Sequence, residues 1–98
     1  ILALEKKEAN GEIWNIGNDR EITIRKLGEL IWNLVRPDTE PKMDFISYQS
    51  FSGRYEDVMR RVPDLSKSRS VLGYKTTTEL EDGLPVTIKW QKQFYLDK

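Results

Sequence analysis

Cysteine and histidine are both absent from this 98-residue chain. Without cysteine there is no disulfide, no thiol nucleophile and no zinc–thiolate site. Without histidine the commonest general base and metal ligand is missing. Neither charge is in excess: Lys+Arg and Asp+Glu number 16 each, so no bulk field draws nucleic acid or a membrane surface. No apolar run approaches membrane-spanning length. The six glycines form neither a Gly-rich dinucleotide fingerprint nor a phosphate-binding loop. No tyrosine is followed four residues later by lysine, so a tyrosine base activated in that way is also lacking. Glu79, Glu81 and Asp82 cluster where a helix is expected to start, and the helix dipole accounts for them there. The chain by itself shows no reaction centre.

What is present is a soluble, globular balance: 38% hydrophobic and 33% charged residues, without the low hydrophobicity that signals disorder. The length suits one small domain with a modest core. The first residue is Ile1, not Met, and residues 1–7 read as the tail of a helix already under way, so the chain is expected to be a fragment of a longer protein. No signal peptide is recognisable in it.

Residues 53–67 organise the rest. Gly53 permits a tight bend. Val58 and Val62 favour a strand, and the residue before Pro63 is biased away from helix. Asp64 is placed to cap a following helix. In a strand over 57–62, Asp57, Met59 and Arg61 would share one face, and Val58, Arg60 and Val62 the other. Four strand steps span roughly 13 Å, the reach from a ribose to a sugar across a diphosphate. Arg54 could hold phosphate with its donor fork, Asp57 could accept from ribose hydroxyls, and Arg61 could face the distal group. The plain alternative is an edge strand whose charges prevent aggregation.

Elsewhere, short strands are expected near 12–16, 21–23 and 42–47. Ile24, Leu27, Ile31, Leu34 and Val35 recur at helical spacing and predict a helix over 24–36, capped by Thr23 and ended by Pro37. Gly28 interrupts it, and close backbone packing is the expected reason. Tyr48 and Phe51 could stack on a base or form a hydrophobic lid. A helix is expected over 64–72 with Gly73 at its stop, and its Lys67 and Arg69 are expected to be solvated. Thr78-Glu79-Leu80-Glu81 reads as a capping box opening a helix over 79–95, which Pro85 should kink or break. The fold class expected is α+β, with short strands and about three helices.

Several pieces then fall into one order. The first is Gly11-Glu12-Ile13-Trp14-Asn15-Ile16-Gly17-Asn18 with Ile22-Thr23-Ile24-Arg25-Lys26-Leu27. Next come Arg54-Tyr55-Glu56-Asp57, Pro63-Asp64-Leu65-Ser66-Lys67 and Leu72-Gly73-Tyr74. Leu80-Glu81-Asp82-Gly83-Leu84 and Ile88-Lys89-Trp90 close the series. This resembles the C-terminal part of NAD-dependent nucleotide-sugar epimerases and dehydratases, the extended short-chain dehydrogenase/reductases. Each piece is weak alone; five in the correct order are specific.

The resemblance implies that residues 1–98 form a substrate-binding lobe whose Rossmann domain, with NAD and the catalytic residues, lies outside the chain. It implies a nucleotide-diphosphate sugar as partner, no nucleic acid or membrane, a cytoplasmic location, and a parent that can be a homodimer. Arg54 would bind the diphosphate, Asp57 would lie near the ribose, and Arg61 would sit beside the sugar. An arginine at that place also resembles the decarboxylases of UDP-glucuronic acid. The fragment alone is expected to be inactive and to expose apolar surface where the Rossmann domain docks. The competing reading is a non-catalytic module that kept the fold and binds a protein or another phosphorylated ligand.

Overall fold

The computed structural model describes residues 1–50 and 57–96. Among these the chain is helical, and no strand forms. It divides into two compact units, one of residues 1–21 and 62–86, the other of residues 22–61 and 87–98.

The first unit opens with a single helical turn, α1 (Leu2–Glu5), and a 3-10 turn over Lys7–Ala9. Gly11 then turns the chain with φ +71°, the left-handed conformation that glycine adopts without a Cβ clash. Residues 12–17 follow as irregular backbone. A short helix begins at Ser66 and winds as a π-helix over Ser68–Leu72. Asp64 starts it as expected: its Oδ1 accepts from the Ser66 backbone N–H at 2.9 Å and from the Ser66 hydroxyl. Gly73 ends it with φ +69°, donating to the Arg69 carbonyl at 3.1 Å. The core of this unit is Ala9, Leu65 and Leu72, with Ser68 fully buried among them.

In the second unit, Thr23 Oγ1 accepts from the Lys26 backbone N–H at 3.1 Å and starts α2 (Ile24–Val35). Arg36 leaves helical geometry directly before Pro37. A further 3-10 turn spans Tyr48–Ser50. The last helix, α3 (Leu80–Gln91), has residues 80–86 in the first unit and the rest in the second, and runs on as a π-helix over Lys92–Leu96. Pro85 lies inside α3 without breaking it. Its missing N–H removes the usual donor to the carbonyl four residues earlier, and the surrounding turns carry the helix past it.

The strands expected at 12–16, 21–23, 42–47 and 57–62 do not form, and the α+β class is thereby corrected to a helical one among the described residues. A strand exists only as part of a ladder, because its backbone donors and acceptors need a second strand. Over 12–17 those acceptors have other partners. The carbonyls of Ile13, Asn15 and Gly17 take bonds from the side chains of Lys67, Ser68 and Tyr74. Over 42–47 the β-formers stay in water, with Phe45 72% and Ile46 67% exposed. Over 57–62 the chain bends at Met59.

Every buried residue among those described belongs to the first unit. The apolar stripe of α2 is largely uncovered: Ile24 is exposed, and Ile31, Leu34 and Val35 are each more than a third exposed. Gly28 is tight in α2 for a reason other than the expected backbone contact: a Cβ there would meet the Met43 methyl at 3.1 Å.

Candidate functional site

Of the three residues expected to meet a ligand, Arg54 lies outside the described residues, as does Phe51. Asp57 and Arg61 are both exposed. The bend at Met59 lies between them, so the period-two sharing of one strand face does not hold. Val58 and Val62 are 56% and 37% exposed. Asp57 has defined partners. Its Oδ1 accepts from the Val58 backbone N–H at 2.8 Å, and its Oδ2 from the Tyr48 hydroxyl at 3.2 Å. A carboxylate offers about four acceptor positions, so two bonds leave room for a ligand's hydroxyls. Among the described residues Arg61 makes no hydrogen bond or ion pair.

The first unit is held by side chains that reach from the 66–74 segment to the 12–19 segment. Lys67 Nζ bonds Glu12 at 2.6 Å and the Ile13 carbonyl at 3.1 Å, and lies 4.6 Å from the centre of the Trp14 ring. Ser68 Oγ donates to the Asn15 carbonyl, and Asn15 Nδ2 donates to the Asp64 carbonyl at 3.2 Å. Arg69 pairs with Asp19 at 2.8 Å, and the Tyr74 hydroxyl donates to the Gly17 carbonyl at 2.8 Å. Lys67 and Arg69, expected to be solvated rather than ligand-bound, are half exposed and also bonded to the protein. Their hydrogen bonds hold the carboxyls of Glu12 and Asp19 below the ordinary carboxylate range. Asp64 is lowered chiefly by the Ser66 hydroxyl.

At the start of α3, Arg20 grips two acids. Its guanidinium meets both Glu81 oxygens at 2.7 Å and Glu79 Oε2 at 2.8 Å. The hydrogen bonds from Arg20 bring the Glu81 carboxyl down to about 2 and raise Arg20 further. The Glu81 side chain, expected to close a capping box, is engaged with Arg20 instead.

The chain is 34% identical over 94 residues to a UDP-D-apiose/UDP-D-xylose synthase of Oryza sativa, covering 89% of this chain and 24% of that protein. It is 35% identical over 86 residues to UDP-glucuronic acid decarboxylase 6 of Arabidopsis thaliana, covering 88% and 23%. With a UDP-N-acetyl-alpha-D-glucosaminuronate decarboxylase of Bacillus cytotoxicus it shares 28% identity over 98 residues, covering 99% and 30%. These relatives make the chain homologous to nucleotide-sugar epimerases/dehydratases. It matches the C-terminal part of such proteins and spans about a quarter of the length of the curated relatives reported first. No family model matches it, and no solved structure matches it at a significant level.

Within this chain, much of the motif series is structural. The 11–18, 63–67 and 72–74 pieces interlock through the bonds of Lys67, Ser68 and Tyr74 to the 13, 15 and 17 carbonyls. The 80–84 piece is tied on by Arg20. Two hollows escaped the sequence reading. A polar one of about 330 Å³ is lined by Gly17, Asn18 and residues 74–78, where Lys75 adjoins three threonines; that run of hydroxyls was the available signal. An apolar groove of about 260 Å³ lies along α2 at Gly28, Ile31, Trp32, Val35 and Arg36. Among the described residues no cluster of three or more acidic side chains is placed to hold a metal ion, and no helix is long and apolar enough to cross a membrane.

Proposed function

We infer that this chain is the nucleotide-sugar-binding part of an NAD-dependent nucleotide-sugar enzyme, and that the sugar it receives carries a carboxylate. The reading rests on the relatives above: two of the three are named as decarboxylases of a UDP-linked uronic acid. Decarboxylation is accordingly the reaction favoured, ahead of epimerisation or dehydration. Arg54 is assigned to the diphosphate, Asp57 to the ribose, and Arg61 to the sugar carboxylate.

The chemistry of these side chains supports the assignment. A guanidinium matches both phosphate and carboxylate with parallel donors. Asp57 is exposed and keeps acceptor capacity beyond its two bonds. NAD is assigned to residues outside this chain, since its glycines form no fingerprint that would take a dinucleotide. The chain's contribution is to grip the remote nucleotide, and that binding energy holds the sugar in reactive geometry. A cytoplasmic enzyme is the setting that this reading assigns.

Calorimetric titration of the purified protein with UDP, UDP-glucose and UDP-glucuronic acid tests the proposal. UDP should bind, and UDP-glucuronic acid should bind about ten- to a hundredfold more tightly than UDP-glucose, the scale of one charged hydrogen bond. Equal affinity for the two sugars removes the carboxylate part. No heat with any of the three removes the whole reading.

A further inference from the structure

We propose that Tyr48 is a positioning residue that orients the Asp57 carboxylate toward a ribose diol; the inference rests on the ribose role assigned to Asp57 above. Tyr48 opens the 3-10 turn Tyr48–Ser50. That turn is fixed by Ser47, whose carbonyl accepts from the Ser50 backbone N–H at 3.0 Å and from the Ser50 hydroxyl at 2.6 Å. From this anchor the Tyr48 hydroxyl reaches Asp57 Oδ2 at 3.2 Å, nine residues along the chain. The other oxygen, Oδ1, is held at 2.8 Å by the Val58 backbone N–H.

An exposed aspartate with no partners samples several rotamers and must be ordered when a ligand arrives. Here one donor sits on each oxygen, and the two together fix the plane of the carboxylate before binding. Each oxygen keeps a further lone pair, so the group can still receive two adjacent hydroxyls. A phenol suits this role: its ring is rigid about two torsions, and its hydroxyl donates one bond. Removing that oxygen leaves a ring of the same outline, so the loss can be read apart from packing.

The test compares UDP with 2′-deoxy-UDP, which lacks one of the two hydroxyls, on the purified protein and on Tyr48→Phe, Asp57→Asn and the double variant. Circular dichroism establishes that each variant keeps the helical content of the parent. The parent should favour UDP over the deoxy form. Tyr48→Phe should reduce that preference by about two- to tenfold, the loss of one neutral hydrogen bond. In the Asp57→Asn background the same change should move the preference between the two nucleotides no further, because the role assigned to the hydroxyl runs through the carboxylate.

If Asp57→Asn flattens the preference and Tyr48→Phe leaves it intact, the positioning role is overturned while the ribose assignment stands. Equal weakening of both nucleotides by Tyr48→Phe also overturns it, because the hydroxyl then acts on folding or on another part of the ligand. If Asp57→Asn leaves the preference unchanged, the ribose assignment itself falls and takes this inference with it.

Discussion

The buried hydroxyl of Ser68 donates to the backbone carbonyl of Asn15, 53 residues earlier in the chain. This bond lies between Leu65 and Leu72 in sequence, the two most buried large side chains described. It joins the 12–17 segment to the helix begun by Asp64. Replacing Ser68 with alanine removes the donor and leaves the Asn15 carbonyl to find another.

Ser68→Ala should therefore destabilise the protein by about 1–3 kcal/mol, the cost of orphaning a buried polar group. Ser70→Ala serves as the control. Its hydroxyl bonds the Lys67 carbonyl at 3.3 Å on the exposed side of the same turn, and its loss should stay within about 0.5 kcal/mol. Urea unfolding of the two variants beside the parent checks the difference. Equal midpoints would mean that water reaches the Asn15 carbonyl as readily as Ser68 does.

The Arg20–Glu81 pair sets an acid limit on the first unit. Glu81 falls from an ordinary value of 4.5 to about 2 in the folded chain, chiefly through its hydrogen bonds with Arg20. A folded pKa below the unfolded one means that stability is fully present above about 4.5. It is lost as the pH falls through about 2. The asymmetric partner is Arg20, which stays charged throughout this range. Glu81→Gln should melt lower than the parent at neutral pH, and the gap should close progressively between those two pH values. Added salt should narrow it at neutral pH, because both side chains face water. A gap that persists unchanged at the acid end would show that glutamine perturbs packing rather than charge.

Two glycines should respond oppositely to alanine. Gly73 has φ +69°, and a Cβ there finds only Lys6 Nζ at 3.9 Å, so the penalty is conformational. Gly73→Ala should cost about 1–2 kcal/mol. Gly28 lies in mid-helix, where alanine gains about 1 kcal/mol, but its Cβ would press on the Met43 methyl at 3.1 Å. The end of a methionine side chain can swing aside, so Gly28→Ala should stabilise slightly, and by more when Met43 is first changed to alanine. Thermal melts of the single and double variants read both signs.

What was legible in the sequence divides along a physical line. Thr23, Pro37, Asp64 and Gly73 were read correctly because helix ends are local: a cap or a left-handed turn needs only a few neighbouring residues. Strands are not local. Trp14, Ile16, Phe45 and Ile46 carry β-forming side chains, yet a ladder needs a partner strand, and among the described residues none is offered. The bonds that replace the ladder run from Lys67, Ser68 and Tyr74 to alternate carbonyls, a pattern that composition and spacing do not show. For the site, the ordered motifs led to the kind of enzyme that the relatives are. The Tyr48 contact of Asp57 stayed hidden, because nine residues separate a turn hydroxyl from the acid it meets.

The two arginines assigned to the ligand should separate in their effects. A diphosphate is common to every UDP-sugar, so a side chain that holds it contributes alike to all of them. Arg54→Ala should weaken UDP, UDP-glucose and UDP-glucuronic acid together, by about 1.5–3 kcal/mol each. The sugar differs among substrates, so a side chain beside it contributes only to those with a matching group. Arg61→Ala should leave UDP and UDP-glucose nearly unchanged and lower affinity for UDP-glucuronic acid until the preference between the sugars disappears. Arg61→Lys should recover part of that preference, because charge returns without the planar fork that meets a carboxylate at two points. Calorimetry on the parent and the three variants with the three ligands resolves the pattern. A uniform loss across all ligands in Arg61→Ala would move that residue from the sugar to the phosphates, and an unaltered Arg54→Ala would leave the diphosphate to other donors.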